Sequence, residues 1–440
     1  MEQIAQLKQV VDDLLQEARK QGADSAEAGV SVQTGLSVTV RLGEIETIEH
    51  TSDNGLAVTV YFDRRKGSAN TTDLRPEAIR ESVAAACRIA KHTSEDPAAG
   101  LADPELMARE VPDLDLYHPW QLSVEAATET ARECEDAARG LDPRISNSEG
   151  ATLYTQRSSF IYGNSHGFVG GYPTTRHGLS CAVIAQQDDE MQRDYWYDSS
   201  RLPSALADPA EIGREAARRT LARLGGRRLG TRECPVLFRA DVAPSLLRSL
   251  FGAIRGHAVY RRSTFMLGKV GTQIFPDWVT VSEDPLVPRG QASAPFDNEG
   301  VATRYRELVA GGVLQGYLLD SYAARKLGLQ STASAGGVRN ARIASSGQSF
   351  DELLREMDRG LVVTELMGQG ANLVTGDYSR GAAGFWVEHG EIQYPVEEIT
   401  VAGNLNDMYR QLVAVGSDDA IPGSIKTGSW LIEQMTVGGD

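Results

Sequence analysis

Two kinds of hydrophobic periodicity alternate along the first half of the chain, and each specifies one type of element. Apolar side chains recur at helical spacing over residues 4–18, and Gly22 stands where that helix would end. Four strand-like segments with alternating apolar residues follow, and then a second helical pattern at residues 76–91. We therefore predict an antiparallel meander that helices cover on one face. The strand segments are residues 26–32, 36–42, 56–61 and 67–70, joined by turn-prone residues 34–35, 52–55 and 63–66.

A second unit of helices and strands follows residues 93–119. That segment is rich in Pro, Asp and Ala, and we predict an exposed connection. A helical pattern, three strand patterns and a further helical pattern come after it. They lie at residues 123–141, then 145–153, 158–164 and 177–185, and finally 209–224.

Beyond residue 234 the pattern changes to short strand-like stretches separated by glycines, among them residues 371–375. Helices are predicted only at residues 243–255, 321–327 and 350–359. The whole pattern predicts an α+β protein, with helix-plus-antiparallel-sheet units first and a predominantly β region last. We expect three domains, at residues 1–100, 101–228 and 229–440.

Composition and charge exclude several classes of protein. With 41% hydrophobic and 24% charged residues among 440, the chain is an ordinary globular protein. A formal net charge of −16 repels nucleic acid and anionic membranes, so direct nucleic acid binding is not expected. No apolar run approaches the length of a membrane helix. The first residues lack the basic start and apolar block of a secretory signal, so we expect a cytoplasmic protein.

Two sets of residues are predicted to have structural roles only. The arginines between residues 214 and 228 are interleaved with Ala and Leu, which predicts the solvated face of a helix and its C-terminal turn. The four cysteines are widely spaced without a Cys-x-x-Cys pair, which predicts buried free thiols. The two sets are Arg218, Arg219, Arg223, Arg227 and Arg228, and Cys87, Cys134, Cys181 and Cys234.

Residues 249–260 have the outline of a zinc-protease helix without most of its chemistry. Such a site needs two imidazoles about one turn apart and a carboxylate that takes a proton from the metal-bound water. Here His257 is present, but Gly252 and Ala253 occupy the positions five and four residues before it. A lone histidine of this kind is more often a packed or hydrogen-bonded structural group than a metal ligand.

The surrounding blocks carry a resemblance to a known family. They are residues 259–265, 275–278, 294–300, 319–328, 376–385 and 435–439. Together they closely resemble the TldD/PmbA family, and within it the PmbA (TldE) branch. The resemblance covers essentially the whole chain.

This resemblance implies a site that has lost its metal. In the TldD branch a His-Glu-x-x-x-His motif stands where this chain has residues 252–257, and only His257 matches it. A cysteine near the C-terminus supplies another zinc ligand in that branch, and its nearest counterpart here is Thr427. The resemblance therefore implies no catalytic residue, no metal and no cofactor in this chain, with zinc expected in a TldD-type partner subunit.

Three other segments contain chemically interesting residues. Gly163 to Gly167 match the Gly-x-Ser-x-Gly nucleophile elbow around Ser165, but the following residues are poor helix formers, so we predict a glycine-rich hairpin. Two polar loops are candidates for peptide binding or for a subunit interface, with the pairing of buried polar groups as the alternative. These loops contain Asp297, Asn298 and Glu299, and Asp377, Tyr378 and Arg380.

Three functional hypotheses follow from the sequence. The one we favour is the non-catalytic partner of a heteromeric TldD–PmbA-type zinc metalloprotease. The resemblance implies that such a complex processes unfolded or leader peptides, in peptide-antibiotic maturation and antitoxin degradation. The alternative is a stand-alone homodimeric module that binds peptides or regulates without proteolysis. An independent hydrolase using Ser165 has little support from the sequence.

Overall fold

The computed structural model describes residues 2–439. The first half of the chain contains a large antiparallel sheet. Six strands lie in the order β3-β2-β1-β4-β5-β6, and every neighbouring pair is antiparallel. Because β1 pairs with β4, the segments before and after the connection form one continuous sheet. The strands are β1 (Ser25–Arg41), β2 (Glu44–Phe62), β3 (Arg65–Thr71), β4 (Ile145–Asn164), β5 (Val169–Gln187) and β6 (Glu190–Ser200).

Four helices cover one face of this sheet, as the sequence predicts. Strand β1 buries only even-numbered residues on that face: Ala26 to Val30 pack beneath the first two helices, and Leu36 to Val40 beneath the other two. Successive strand residues point to opposite faces, so the even-numbered side chains share one face. Because β1 is 17 residues long, that face supports both helix pairs. The helices are α1 (Glu2–Lys20), α2 (Pro76–His92), α3 (Val124–Arg139) and α4 (Pro209–Ala222).

The predicted turns at residues 34–35 and 52–55 are wrong, because both segments lie inside long strands. A β-carbon on Gly35 would lie 2.9 Å from the carbonyl oxygen of Thr155 on the neighbouring strand. The glycine therefore permits close strand approach and does not mark a turn. The chain actually reverses at Leu42 and Gly43, which both have positive φ. Residues 145–153 and 158–164 likewise merge into the single strand β4.

The remaining chain forms two further sheets around one hydrophobic core. A six-stranded sheet has the order β14-β13-β12-β7-β17-β15, and a five-stranded sheet has the order β10-β9-β8-β11-β16. Both contribute to a core that includes Phe275, Tyr409 and Trp430. The strands are β7 (Arg232–Phe238), β8 (Val281–Glu283), β9 (Arg306–Ala310), β10 (Val313–Leu314), β11 (Ala341–Ile343), β12 (Gly360–Met367), β13 (Asp377–Glu388), β14 (Glu391–Asn404), β15 (Leu412–Val415), β16 (Ile425–Lys426) and β17 (Trp430–Gly438).

Five short helices interrupt these sheets, and the α+β class with a β-rich C-terminal region is confirmed. They are α5 (Pro244–Ala253), α6 (Gly256–Tyr260), α7 (Ser321–Leu327), α8 (Phe350–Met357) and α9 (Leu405–Arg410). The predicted strand at residues 371–375 is wrong. The Asn372 side chain accepts hydrogen bonds from the backbone N–H groups of Val374 and Thr375, so a turn uses those donors locally.

The prediction that residues 93–119 form an exposed connection is also wrong. Ala98, Ala99, Leu101 and Ala102 are all buried. The guanidinium of Arg325 on α7 donates to the carbonyl oxygens of Ala98, Gly100 and Leu101. Residues 96–116, which we call the connecting segment, are therefore packed between the first sheet and the C-terminal region. The three-domain division stays a prediction.

Two smaller observations complete the fold. All four cysteines are buried and free, which confirms the prediction of buried thiols. Within residues 2–439, every helix is too short or too polar to cross a membrane.

Candidate functional site

The segment that resembles a zinc-protease helix consists of two helices, with a break inside the motif. Helix α5 ends at Ala253, Arg255 is extended with φ −72° and ψ 135°, and α6 begins at Gly256. His257 therefore lies on a different helix from Gly252. Its side chain is exposed and makes no hydrogen bond within residues 2–439, so the expectation of a packed or hydrogen-bonded histidine is wrong.

The two positions before the break do not suit metal chemistry. Ala253 is fully buried in the hydrophobic core, where a carboxylate would lose its hydration. Gly252 is partly exposed, but a β-carbon there would lie 2.8 Å from Leu373 Cδ1. Neither position could present a base or an imidazole without rearrangement of its neighbours.

Thr427 belongs to the same region and has a structural role. It directly follows β16, which packs against α5. Its side chain is buried, and its hydroxyl accepts a hydrogen bond of 2.6 Å from the indole Nε1 of the buried Trp430. The threonine thus provides the hydrogen-bond acceptor for the indole N–H of a core tryptophan.

The residues present do not fit a zinc ion. Within residues 2–439, no group of three or more His, Cys, Asp and Glu side chains is arranged to hold a metal. A structural or catalytic zinc site needs at least three protein ligands of these types. The absence of zinc from the purified chain stays a prediction for elemental analysis.

Asp297 organises the first polar loop by accepting backbone hydrogen bonds. Its carboxylate receives the N–H groups of Glu299, Val301 and Ala335 at 2.9–3.0 Å. Burial nevertheless raises the pKa of this carboxyl group above its usual value. Asn298 is exposed between the two acidic residues. Asp297 therefore has the structural role that the sequence left as the alternative.

Glu299 lies where the loop meets α7 and the first sheet. Its Oε2 accepts the backbone N–H of Ser321 at 2.9 Å, at the start of that helix. Burial raises the pKa of Glu299 to about 7, and the negative charge of Asp297 adds to the effect. Nearby on the sheet, Glu27 accepts hydrogen bonds from the hydroxyls of Tyr61 and Tyr162 at 2.9 and 2.8 Å.

The second polar loop is organised separately. Asp377 is exposed and accepts hydrogen bonds from Thr375 and Asn404. Tyr378 is buried, and its hydroxyl has no hydrogen-bond partner within residues 2–439. Arg380 donates to the carbonyl oxygen of Leu366 at 3.2 Å. No hydrogen bond joins this loop to Asp297 or Glu299 among the described residues, so their shared role in peptide binding or an interface stays a prediction.

The nucleophile-elbow match around Ser165 forms the hairpin that the sequence predicts. Strand β4 ends at Asn164 and β5 begins at Val169, so no helix follows the serine. The Ser165 hydroxyl accepts the backbone N–H of Ala26 at 3.1 Å. The serine thus connects the hairpin to β1 through a hydrogen bond. The hydrolase hypothesis gains no support from this geometry.

Sequence reasoning missed an arginine-lined cavity between β6, α4, α5 and the β12–β13 pair. Arg219 and Arg223, expected on a solvated helix face, are only 10% and 18% exposed and form ion pairs. That expectation is wrong for these two residues, whereas Arg218 is 52% exposed. The four-residue spacing of Arg219 and Arg223 places them on one helix side, but only tertiary packing shows that this side is covered.

Comparison with known proteins identifies the family. The chain matches three domains of the PmbA/TldA metallopeptidases: domain 1 at residues 26–90, the central domain at 117–224 and the C-terminal domain at 231–439. It is 52% identical to the metalloprotease PmbA of Escherichia coli O157:H7, over 95% of this chain and 93% of that protein. The chain belongs to the PmbA/TldD metallopeptidase family.

Within that family the chain belongs to the PmbA branch. It is 47% identical to the Haemophilus influenzae PmbA homolog over 99% of this chain and 96% of that protein. The TldD homolog of the same organism is 23% identical, over 52% of this chain and 53% of its own length. The PmbA branch named from the sequence is therefore confirmed.

Solved structures share the fold over nearly the full length. A Bacteroides thetaiotaomicron protein described as a proposed modulator of DNA gyrase has a TM-score of 0.93 at 27% identity, covering 98% of this chain and 99% of that one. TldE from Thermococcus kodakarensis has a TM-score of 0.83 at 21% identity, covering 98% of this chain and all of that one. The second likeness supports the fold alone.

Proposed function

We propose that this chain is the non-catalytic subunit of a heteromeric, TldD–PmbA-type zinc metalloprotease. The observation that carries the proposal is the degenerate motif. Helix α5 ends before His257, Ala253 is buried in the core, and the Thr427 hydroxyl is bonded to Trp430. A zinc-dependent hydrolysis needs ligands and a base around one metal-bound water. Within residues 2–439 no cluster of such groups surrounds His257, so in this proposal a second subunit supplies the chemistry.

Two further observations support a partner of the TldD type. Haemophilus influenzae has both a PmbA homolog and a TldD homolog, so the two branches occur together in one organism. Four buried free cysteines suit a reducing compartment such as the cytoplasm. We propose unfolded or leader peptides as substrates of the complex, because strand addition to a β-rich region binds extended chains with little sequence demand.

The decisive experiment measures metal content and peptide hydrolysis for this chain alone, for a TldD-type subunit alone, and for the mixture. We expect zinc and a catalytic centre only in the TldD-type subunit, with co-purification of the two chains and hydrolysis by the mixture. One zinc per chain bound to His257, or hydrolysis by this chain in excess chelator, would contradict the proposal. A homodimer that does not bind the TldD-type subunit would favour the hypothesis of a stand-alone module.

A matched pair of variants tests whether His257 takes part in chemistry. His257→Ala should leave turnover by the mixture nearly intact, because the exposed imidazole has no hydrogen-bond partner among residues 2–439. Replacing a zinc-binding histidine of the partner should abolish turnover. A loss of about a hundredfold or more in His257→Ala, with assembly unchanged, would show that this histidine acts as an acid or a base.

A further inference from the structure

A cavity of about 330 Å³ lies between the first sheet and the C-terminal region, and its lining is rich in arginine. Five arginines and three carboxylates line it, which leaves an excess of two positive charges in a chain of net charge −16. A local charge of the opposite sign to the whole protein marks a surface that attracts anions. The arginines are Arg193, Arg219, Arg223, Arg248 and Arg380.

Three of these arginines already form ion pairs with carboxylates. Arg219 pairs with Asp241 at 2.8 Å and Arg223 with Glu365 at 2.6 Å. Arg193 pairs with a carboxylate outside the lining at 2.7 Å. These pairs fix the shape of the cavity wall, because each one holds a long side chain in place.

The remaining two arginines have no carboxylate partner within residues 2–439. Arg248 is exposed on α5 and forms no salt bridge or side-chain hydrogen bond within residues 2–439. Arg380 has no carboxylate partner in the same range and donates only to backbone carbonyl oxygens. Both guanidinium groups therefore retain the capacity to bind a carboxylate.

Two buried polar atoms of the lining also have no hydrogen-bond partner within residues 2–439. They are Arg219 Nε and Ser245 Oγ, and both residues line the cavity. Arg219 Nε lies 3.6 Å from Asp194 Oδ1, so this carboxylate already faces it, whereas the Ser245 hydroxyl has no polar partner among the described residues.

Two residues that line the cavity lie on the same helix as the first positions of the degenerate motif. Ser245, Arg248 and Gly252 are three and four residues apart, which places them on one face of α5. Arg248 lies about 6 Å along the helix from Gly252, at 1.5 Å per residue. An extended peptide rises by about 3.3 Å per residue, so two residues span this distance.

Among residues 2–439, β7 leaves one edge of β12 open beyond Val363, where the Leu366 carbonyl oxygen accepts a hydrogen bond from Arg380. Strand β7 accompanies β12 only over Leu361–Val363, whereas Glu365 and Leu366 line the cavity. An open strand edge can pair with the main chain of an extended peptide. Tyr195, Trp196 and Tyr197, which are consecutive on β6, also line the cavity as its aromatic wall, and the Arg219 guanidinium lies over the Trp196 ring.

We propose that this cavity binds carboxylate side chains of an acidic, extended peptide segment. The occupant is an acidic peptide rather than a small inorganic anion, because the open edge of β12 and the aromatic wall suit a chain. The proposal rests on the function given above, since it makes the subunit without a metal the one that selects acidic segments of the substrate.

Direct binding to the isolated chain tests this inference. The probes are a fluorescein-labelled, end-blocked octapeptide with two glutamates, the same peptide with glutamines in their place, and inorganic phosphate as competitor. Fluorescence anisotropy should show the glutamate peptide binding at least tenfold more tightly than the glutamine peptide, as expected for a charge-assisted hydrogen bond. Millimolar phosphate should not displace it.

Matched variants locate the binding. Arg248→Ala should remove most of the preference for glutamate, and Arg380→Gln should weaken it. Arg88→Ala is the control, because it removes the same charge from an exposed position on α2. Circular dichroism checks that each variant folds, and Arg248→Gln replaces the alanine variant if that one does not.

Three results would overturn the inference: equal affinity for both peptides, an unchanged preference in Arg248→Ala, or displacement by phosphate as effective as by unlabelled glutamate peptide. The last result would indicate a site for free anions. Binding is measured on the isolated chain, whereas the proposed function is tested on the mixture. If the mixture is active but the isolated chain does not prefer the glutamate peptide, only this inference is overturned. Retained binding without assembly overturns only the proposed function.

Discussion

Replacing Glu299 with glutamine should change how stability depends on pH. The carboxyl group lies against Asp297 and the start of α7, and burial raises its pKa from 4.5 to about 7. The folded state thus holds this proton more tightly than the unfolded state does. The stability that the protonated Glu299 carboxyl contributes is fully present below pH 4.5 and is lost as the pH rises to about 7.

The size of this loss follows from the difference between the two pKa values. At 1.36 kcal/mol per pH unit, a pKa of about 7 against 4.5 corresponds to about 3 kcal/mol. Glu299 is partly exposed, and contact with solvent reduces the penalty, so we expect about 1–3 kcal/mol. Glutamine stays neutral and keeps an oxygen that can accept the Ser321 N–H, so Glu299→Gln should not lose stability in this range.

Urea unfolding of the parent and the variant between pH 5 and pH 8 measures this difference. The stability advantage of Glu299→Gln should be smallest at pH 5, grow to about neutral pH and then level off. Glu307→Gln serves as the control, because it makes the same chemical change at an exposed position on β9. An advantage that is the same at every pH, or that shrinks as the pH rises, would refute the reasoning.

Three further changes test other parts of the fold. Arg325→Ala should lower the free energy of unfolding by about 2 kcal/mol and expose residues 96–103 to limited proteolysis, because it removes the donors that hold the connecting segment. Gly213→Ala should destabilise the protein despite better helix propensity, because the added carbon would lie 1.9 Å from the Cys134 carbonyl oxygen; thermal unfolding measures this. Burial lowers the pKa of His177, so its contribution to stability is present above about pH 6.5 and is lost at lower pH; His177→Gln should flatten that part of the urea-unfolding profile.

Elements with local signals were predictable from the sequence. Helix α7 was predicted with the bounds that it has, because Asp320 caps its first turn and Gly328 ends it with a φ of 66°. The turns at Gly35 and Gly55 were mispredicted for a physical reason. At both positions a β-carbon would come within 3 Å of the neighbouring strand, and only the strand pairing reveals that use of glycine.

The connecting segment and the arginine cavity depend on contacts that no local pattern contains. Proline and aspartate in residues 93–119 indicate the absence of regular structure, but they do not distinguish an exposed connection from a packed one. The contacts that bury it come from Tyr322, Arg325 and Lys326, more than 200 positions later in the chain. Arg219 and Arg223 are likewise covered by residues from β6 and β12.

The two faces of α5 place different constraints on the residues of the degenerate motif. Leu246, Leu247 and Leu250 are fully buried on one face and hold the helix in the core. Gly252 lies on the other, partly exposed face, where a β-carbon would meet only the end of the Leu373 side chain, at 2.8 Å. Ala253 extends the buried face, and an apolar residue there stabilises the core in a way that a catalytic carboxylate cannot. Under the proposed function a partner supplies the metal, so we expect packing to constrain the buried face of α5 and leave its other face for the proposed peptide binding.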